Sequence, residues 1–405
     1  MYLIKDSIID DYTTTGNTID LATTSNFNVR WDGGSTGIYF GLGGETLSGD
    51  FDNDDKPDLL LQSIYLGNNS RSNSGSVFVV FNTLLDDNVG TGNIVNISTS
   101  SNYSVRIDGS EAEAYLEYDS AGKFDQSGND NLILHQYAST GPMYVIANSK
   151  LLSYAGTTGN NVDLATSSNY NLAISGVAED YPGVYDLRDY TNDGYNDIVI
   201  GAYASNNSRA YSGSAYFVSG SVLNGYMSST GNTLSMASSS NYIFRLDGAV
   251  ADHGIPYQYT SGDFNGDGIN DIVISSQDSD YNSRNNSGSV WFMYSFTHTI
   301  TATDTTVSTS DTTPTLTGSV AATNSRTTIA NVQYRVDSST PSATWTSCTA
   351  SDGTFNSTSE AYTCTIAELS DGDHTVYFRA VDTNGFKTAL ASYDSVAVTV
   401  DTESP

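Results

Sequence analysis

The stretch Asp263-Phe264-Asn265-Gly266-Asp267-Gly268-Ile269-Asn270-Asp271, running straight into Ile272-Val273-Ile274, decides how this chain is read. Asp263, Asn265, Asp267 and Asp271 put oxygen-bearing side chains at loop positions 1, 3, 5 and 9. Gly268 permits a sharp turn, and Ile269 can offer its backbone carbonyl. Hard oxygens at alternating positions around a tight turn suit a calcium ion. Without a cation, carboxylates held this close repel one another. An EF-hand would continue into a helix and close with a glutamate at position 12. Here that position is Ile274, inside a β-branched run that reads as a strand. The stretch therefore reads as a calcium loop within a β-hairpin.

The loop recurs. Asp50, Asp52, Asp54 and Asp58, with Lys56 at the carbonyl position, precede Leu59-Leu60-Leu61. Asp189, Thr191, Asp193 and Asp197, with Tyr195 at the carbonyl position, precede Ile198-Val199-Ile200. Asp55 replaces the turn glycine in the first, and Thr191 is a weaker ligand in the second. A fourth copy runs from Lys123 to Asn131 before Leu132-Ile133-Leu134 and keeps the frame while losing most ligands. An ammonium at its first position can occupy the cation's place.

Around these loops lies a longer repeat. Thr-Gly-Asn ends at Asn17, Asn93, Asn160 and Asn232, in steps of 76, 67 and 72 residues. Each is followed at the same offset by Ser-Asn-aromatic, at Phe27, Tyr103, Tyr170 and Tyr242, and then by an alternating strand. An aromatic strand, the acidic loop, an apolar strand, a polar loop with Ser-Gly-Ser and a further strand complete the unit. Four strands in about 70 residues are expected to form a propeller blade. Long helical patterns are absent, so the class is all-β.

This pattern resembles the FG-GAP repeat of integrin α-subunit β-propellers. Phe40-Gly41 stands where that family has Phe-Gly, and Gly201-Ala202 where it has Gly-Ala, with the aspartate loop between. The resemblance covers residues 1–296 and implies a propeller with calcium in its loops. No Arg-Gly-Asp and no Asp-x-Ser-x-Ser motif is present, so integrin-like ligand recognition does not follow. Met1-Tyr2-Leu3-Ile4-Lys5 aligns with Val77-Phe78-Val79-Val80-Phe81, the third strand of a unit. The expectation is a partial propeller with blades missing upstream.

Beyond residue 296 the aspartate loops stop. Alternating strands at short spacing over 297–401 read as a β-sandwich. It resembles bacterial Ig-like domains of surface proteins, and 402–405 looks like the start of a linker to a further domain. The two cysteines, Cys348 and Cys364, fall here. Reduced buried thiols remain open, but a Gly-containing turn between them and the extracellular character of the chain favour a disulfide.

The net charge of −31, from 46 acidic against 15 basic residues, argues against nucleic acid or an anionic membrane as partner. No apolar span long enough for a membrane is present. Gly33-Gly34-Ser35-Thr36-Gly37 has the spelling of a nucleophile elbow, yet lies between strands rather than at a strand-to-helix turn. The histidines His135, His253, His298 and His374 show no metal-ligand spacing. A catalytic domain, if the parent protein has one, lies outside these residues.

Arg71, Arg209 and Arg284 recur in one frame, Asn-Ser-Arg-x-x-Ser-Gly. The loop that carries them is expected at the blade end opposite the calcium loop, where they could meet a ligand. The competing reading has each guanidinium fixing its own loop. The chain thus reads as a calcium-binding, extracellular or surface-displayed adhesion or recognition protein, not an enzyme. Its partner would be an extracellular protein or glycan. A carbohydrate-targeting module of a larger secreted enzyme and a structural spacer are the alternatives.

Overall fold

The computed structural model describes residues 1–403 except 11–16, 36, 38, 42–47, 125–128, 138–140, 177–181, 203–208, 265–269, 281–282, 294–297, 323–326, 342–343, 384 and 390–391. The described residues are all-β apart from short helical segments. Strands follow one another as β1 (Tyr2–Leu3), β2 (Val29–Asp32), β3 (Ser48–Gly49), β4 (Asp58–Ser63), β5 (Ser76–Val80), β6 (Asn93–Asn96), β7 (Val105–Asp108), β8 (Leu116–Gly122), β9 (Asn131–Gln136), β10 (Met143–Ile146), β11 (Asn160–Asp163) and β12 (Leu172–Ser175). Then come β13 (Pro182–Arg188), β14 (Asp197–Ala202), β15 (Ser214–Val218), β16 (Asn232–Ser235), β17 (Phe244–Asp247), β18 (Tyr259–Gly262), β19 (Asp271–Ser276) and β20 (Ser289–Met293).

Contacts divide the chain into two units. The first comprises Met1–Val184, Gly201–Asn206 and Leu223–Asn241, and the second the remainder. In the first unit the sheets run β1-β2-β6, β3-β4-β5-β7-β11 and β8-β9-β10-β12-β16. The second and third of these sheets each contain an antiparallel run of four strands, β3-β4-β5-β7 and β8-β9-β10-β12. The addition is an outer, parallel strand from the Thr-Gly-Asn segment of the next repeat: β6 on β2, β11 on β7 and β16 on β12. The four-strand expectation is thereby extended to five in the two complete sheets. The cause is local. Asn93, Asn160 and Asn232 donate their backbone N–H to Asn28, Ser104 and Asn171. The side-chain amides of Asn160 and Asn232 donate to Ser104 and Asn171 as well, at 2.8 and 3.0 Å. The preceding Gly92, Gly159 and Gly231 sit at φ +73, +75 and +74°, where glycine carries no Cβ penalty.

Burial follows the period of two. Phe78 and Val80 join Val29, Trp31 and Leu61 in one core, while Val77 and Val79 join Phe51, Leu60, Leu132 and Leu134 in another. Alternate residues of β5 thus face opposite sides, and both sides are buried. Fully burying each such side chain contributes roughly 1.5–3 kcal/mol.

In the second unit the sheets are β13-β14-β15-β17 and β18-β19-β20. Two further sheets complete it, formed by β21 (His298–Ala302), β22 (Thr306–Thr309), β23 (Thr315–Ala322), β24 (Ile329–Val336), β25 (Thr346–Ser347), β26 (Thr349–Ala350), β27 (Ser359–Thr365), β28 (Gly372–Asp382) and β29 (Asp394–Val400). They run β21-β23-β27-β26 and β22-β29-β28-β24-β25. Both feed one core, with Leu316, Val320 and Tyr362 from the first and Val332, Phe378 and Val398 from the second. The chain passes from one sheet to the other between β25 and β26, at Cys348. That residue is disulfide-bonded to Cys364 of β27, with Cα atoms 4.5 Å apart.

Candidate metal centres

Two acidic loops converge on one point each. Asp50, Asp52 and Asp58 each bring one carboxylate oxygen within 4.8 Å of the others, and so do Asp189, Asp193 and Asp197. Both loops join the first and second strands of a sheet, so β4 and β14 begin at the ninth loop residue.

That ninth residue is built into the fold. Asp58 accepts from the backbone N–H of Phe51 at 2.7 Å and of Asn82 at 2.8 Å. Asp197 accepts from Thr191 at 2.7 Å and Gly220 at 2.8 Å. Asn131, in the copy that lacks most ligands, accepts from Asn148 at 2.9 Å. Asn82, Asn148 and Gly220 each open the short helix after a third strand, where free N–H groups favour an acceptor. The ninth side chain therefore ties its loop to that helix whether or not it binds a metal. The recurrence of Asp, Asn, Asp, Asp at this position was the signal, but the helix partners carried none.

The first residue organises the turn. Asp50 accepts from Asp54 and Asp55 at 3.2 and 3.1 Å, and Asp189 from Asp193 and Gly194 at 2.9 and 2.8 Å. Asp54, expected as a ligand, stands outside the cluster, and its two oxygens accept from the Asn82 amide at 3.0 and 2.9 Å. Lys56 reaches Asp54 at 3.7 Å. Thr191 donates its hydroxyl to Asp197 at 3.2 Å, and Tyr195 is buried. In the loop read first, Asn265, Asp267 and Ile269 lie outside the described residues. Asp271 there accepts from Phe264 at 3.0 Å, as Asp58 does from Phe51.

The donor sets fit a hard cation. Asp52 Oδ1 is buried with no hydrogen-bond partner. Burial pushes Asp58 up to about 7 and Asp189 up to about 6, and lifts Asp197 well above the carboxylate range. Desolvation, and after it the neighbouring aspartates, raise Asp52 too. Each of these carboxylates is costly to ionise until a positive charge arrives. At the second cluster one positive charge is already close: Lys387 Nζ lies 3.3 Å from Asp193 Oδ2.

Two of the recurrent arginines, Arg71 and Arg209, engage their own surroundings. Arg71 meets Asp163 at 2.5 Å, and Arg209 donates to the Gly248 carbonyl at 3.0 Å. Arg284 is exposed. Beside Arg71, Ser72 and Asn73 donate to Glu113 at 2.8 and 2.9 Å, so this loop is a closed polar network. Arg71→Ala should lower stability by about 1–2 kcal/mol, read as a shifted denaturant midpoint. An unchanged midpoint would show that the Asp163 pair is not a staple. Arg30, Arg106 and Arg245 pair with Asp32, Asp108 and Asp247 two residues on.

The FG-GAP repeat family matches residues 256–293. Residues 256–293 are thus similar to an FG-GAP repeat. The match spans the acidic loop read first and the strands on either side of it. No curated protein matches the chain. Among solved structures, it is similar to fibronectin(III)-like modules of Clostridium thermocellum CbhA. The identity is 14%, covering 51% of this chain and 85% of that one at a TM-score of 0.20. It is also similar to latent PorU from Porphyromonas gingivalis, at 10% identity over 72% of this chain and 24% of that one, with a TM-score of 0.20. The chain thus spans about a quarter of PorU. TM-scores this low carry no fold assignment. Among the described residues, no helix is long and apolar enough to cross a membrane.

Proposed function

We propose that the chain is a calcium-binding, non-catalytic recognition protein of the extracellular space. On this reading the repeats are FG-GAP blades of a β-propeller and the C-terminal sheets are an Ig-like sandwich. The observation that carries it is the convergence of three buried or half-buried carboxylates in equivalent loops of two repeats. Oxygen-only donor sets favour calcium over softer metals. The disulfide suits an oxidising compartment. An acidic chain whose loops are tied down by metal presents a stiff surface to a protein or glycan partner.

Calorimetric titration with calcium tests the metal. Asp52→Ala should remove one site, since it deletes a ligand whose Oδ1 has no hydrogen-bond partner. Absence of any calcium heat would overturn the reading. Recognition is tested by glycan-array and protein-capture binding with and without calcium.

Lys387 gives a sharper expectation. Its ammonium competes with a cation for Asp193, while its backbone N–H and carbonyl hold Thr191 and Asn192 independently, at 2.9 and 3.1 Å. Lys387→Met should strengthen calcium binding at this site roughly tenfold, about 1.4 kcal/mol. Equal affinity in the two proteins would mean that the ammonium leaves the cluster when calcium binds.

A further inference from the structure

The C-terminal sheets reach the second metal cluster through one turn. After β28 the chain reverses at Gly385, at φ +89°, and Phe386 and Lys387 follow at the tip. The turn is pinned to its own strand. Asp382 donates its N–H to the Phe386 carbonyl at 2.9 Å, Phe386 its N–H to Asp382 Oδ1 at 3.0 Å, and Thr388 its N–H to the Ala380 carbonyl at 3.0 Å. The tip is therefore a stiff part of the C-terminal sheets.

Its side chains are seated elsewhere. Phe386 is 7% exposed and shares one core with Val199, Phe217 and Ile274, from β14, β15 and β19. Lys387 donates its N–H to the Thr191 carbonyl at 2.9 Å, and its own carbonyl accepts from the Asn192 amide at 3.1 Å. Both partners belong to the loop of the second cluster. Lys387 Nζ lies 3.3 Å from Asp193 Oδ2, with the lysine side chain 16% and the aspartate side chain 4% exposed. Asp193 Oδ1 is held on the other side by the Tyr195 N–H at 3.1 Å. An ammonium this buried needs a counter-charge, and the three carboxylates supply it. The first cluster is built differently. The buried partner of Asp54 is the neutral amide of Asn82, and Lys56 stands 3.7 Å off with its side chain 59% exposed. Calcium in the second cluster brings two charges to three carboxylates and cancels most of their attraction for the ammonium.

We propose that this turn is a calcium-sensitive latch. Lys387 and calcium are alternative counter-charges for Asp189, Asp193 and Asp197, and the C-terminal sheets are held more loosely to the neighbouring sheets when calcium is the occupant. The coupling is reciprocal: the factor by which the ammonium lowers calcium affinity is the factor by which calcium weakens the seating of the turn. Phe386 keeps the tip seated in both states, so the change lies in the population of an open form. The proposal rests on the calcium reading of the second cluster and is independent of the first.

The Lys387 amide reports the latch, because its N–H is bonded to the Thr191 carbonyl. Its hydrogen exchange is read in the full chain by mass spectrometry of peptides over residues 383–393, at about 10 mM calcium or in chelator, with ionic strength matched. Exchange follows the population of the open form. Calcium should speed it roughly tenfold in the native protein. In Lys387→Met the amide should exchange at the faster rate without calcium, and calcium should change it by less than about twofold. Calorimetry of Asp193→Ala shows where calcium goes, and one site fewer than in the native protein is expected. Equal acceleration in Lys387→Met, or no acceleration in the native protein while Asp193→Ala loses a site, overturns the latch and leaves the calcium reading standing. If Asp193→Ala takes up as much calcium as the native protein, the second cluster is not a calcium site and both fall.

Discussion

Calcium at about 10 mM should raise the melting temperature of this protein by roughly 5–15 °C over the same protein in chelator at pH 8. Extracellular calcium modules bind at about 0.1–1 mM, so each site adds about 1.4–2.7 kcal/mol by mass action. Two clusters acting together give the larger figure. The effect should depend on pH in a set direction. Asp58 and Asp189 titrate in the folded, metal-free protein at about 7 and about 6, above their ordinary carboxylate value. Proton uptake by these groups therefore stabilises the metal-free fold below about pH 4, and that contribution is lost as pH rises to about 7. Calcium must displace those protons at pH 5 but not at pH 8. The gap between calcium and chelator should widen steadily over that interval, as followed by scanning calorimetry. A gap of zero at pH 8 rejects both clusters as calcium sites. A gap independent of pH would mean that these carboxylates are already ionised in the metal-free fold.

Loss of the Cys348–Cys364 bridge should destabilise the C-terminal sheets by about 3 kcal/mol. The two residues are 16 apart in sequence, and opening a loop of about 15 residues releases that much chain entropy to the unfolded state. Packing adds to the loss. Cys364 is 1% exposed inside the shared core, opposite Leu316 on the neighbouring strand. Cys348 holds the crossing between sheets, its N–H bonded to Val332 at 2.8 Å. The Cys348→Ala/Cys364→Ala double variant should show an earlier transition for these sheets, with calcium binding at Asp52 and Asp58 unchanged. Thiol titration of denatured, unreduced protein decides the starting state, and two reactive thiols there would reject the bridge.

Much of this protein is local, and local features are legible in sequence. The alternation of apolar residues set the strands, the glycine-bearing turns set their ends, and Asp-x-Asp spacing placed Asp50, Asp52 and Asp58 around one turn. Thr-Gly-Asn was visible as punctuation, because a left-handed glycine and an amide donor are chemical requirements of a chain reversal.

Tertiary structure decided what depends on partners far along the chain. Asp54 was indistinguishable from Asp52 by spacing, yet both its oxygens accept from the amide of Asn82, 28 residues on. Nothing near Asp193 in sequence announces Lys387, because an ion pair across 194 residues depends on how strands pack. Arg71 and Arg209 looked like recurrent surface charges. Only the packed sheets show Arg71 against Asp163 and Arg209 against the Gly248 carbonyl. The parallel fifth strands were missed for the same reason: strand pairing between repeats is a contact between distant segments, and periodicity within one segment carries no record of its neighbour. Strand β20 belongs to both levels. Its sequence repeats that of β5 and β15, and only the packed sheets show that Val290 and Phe292 are exposed where Val77 and Val79 are buried against the next sheet.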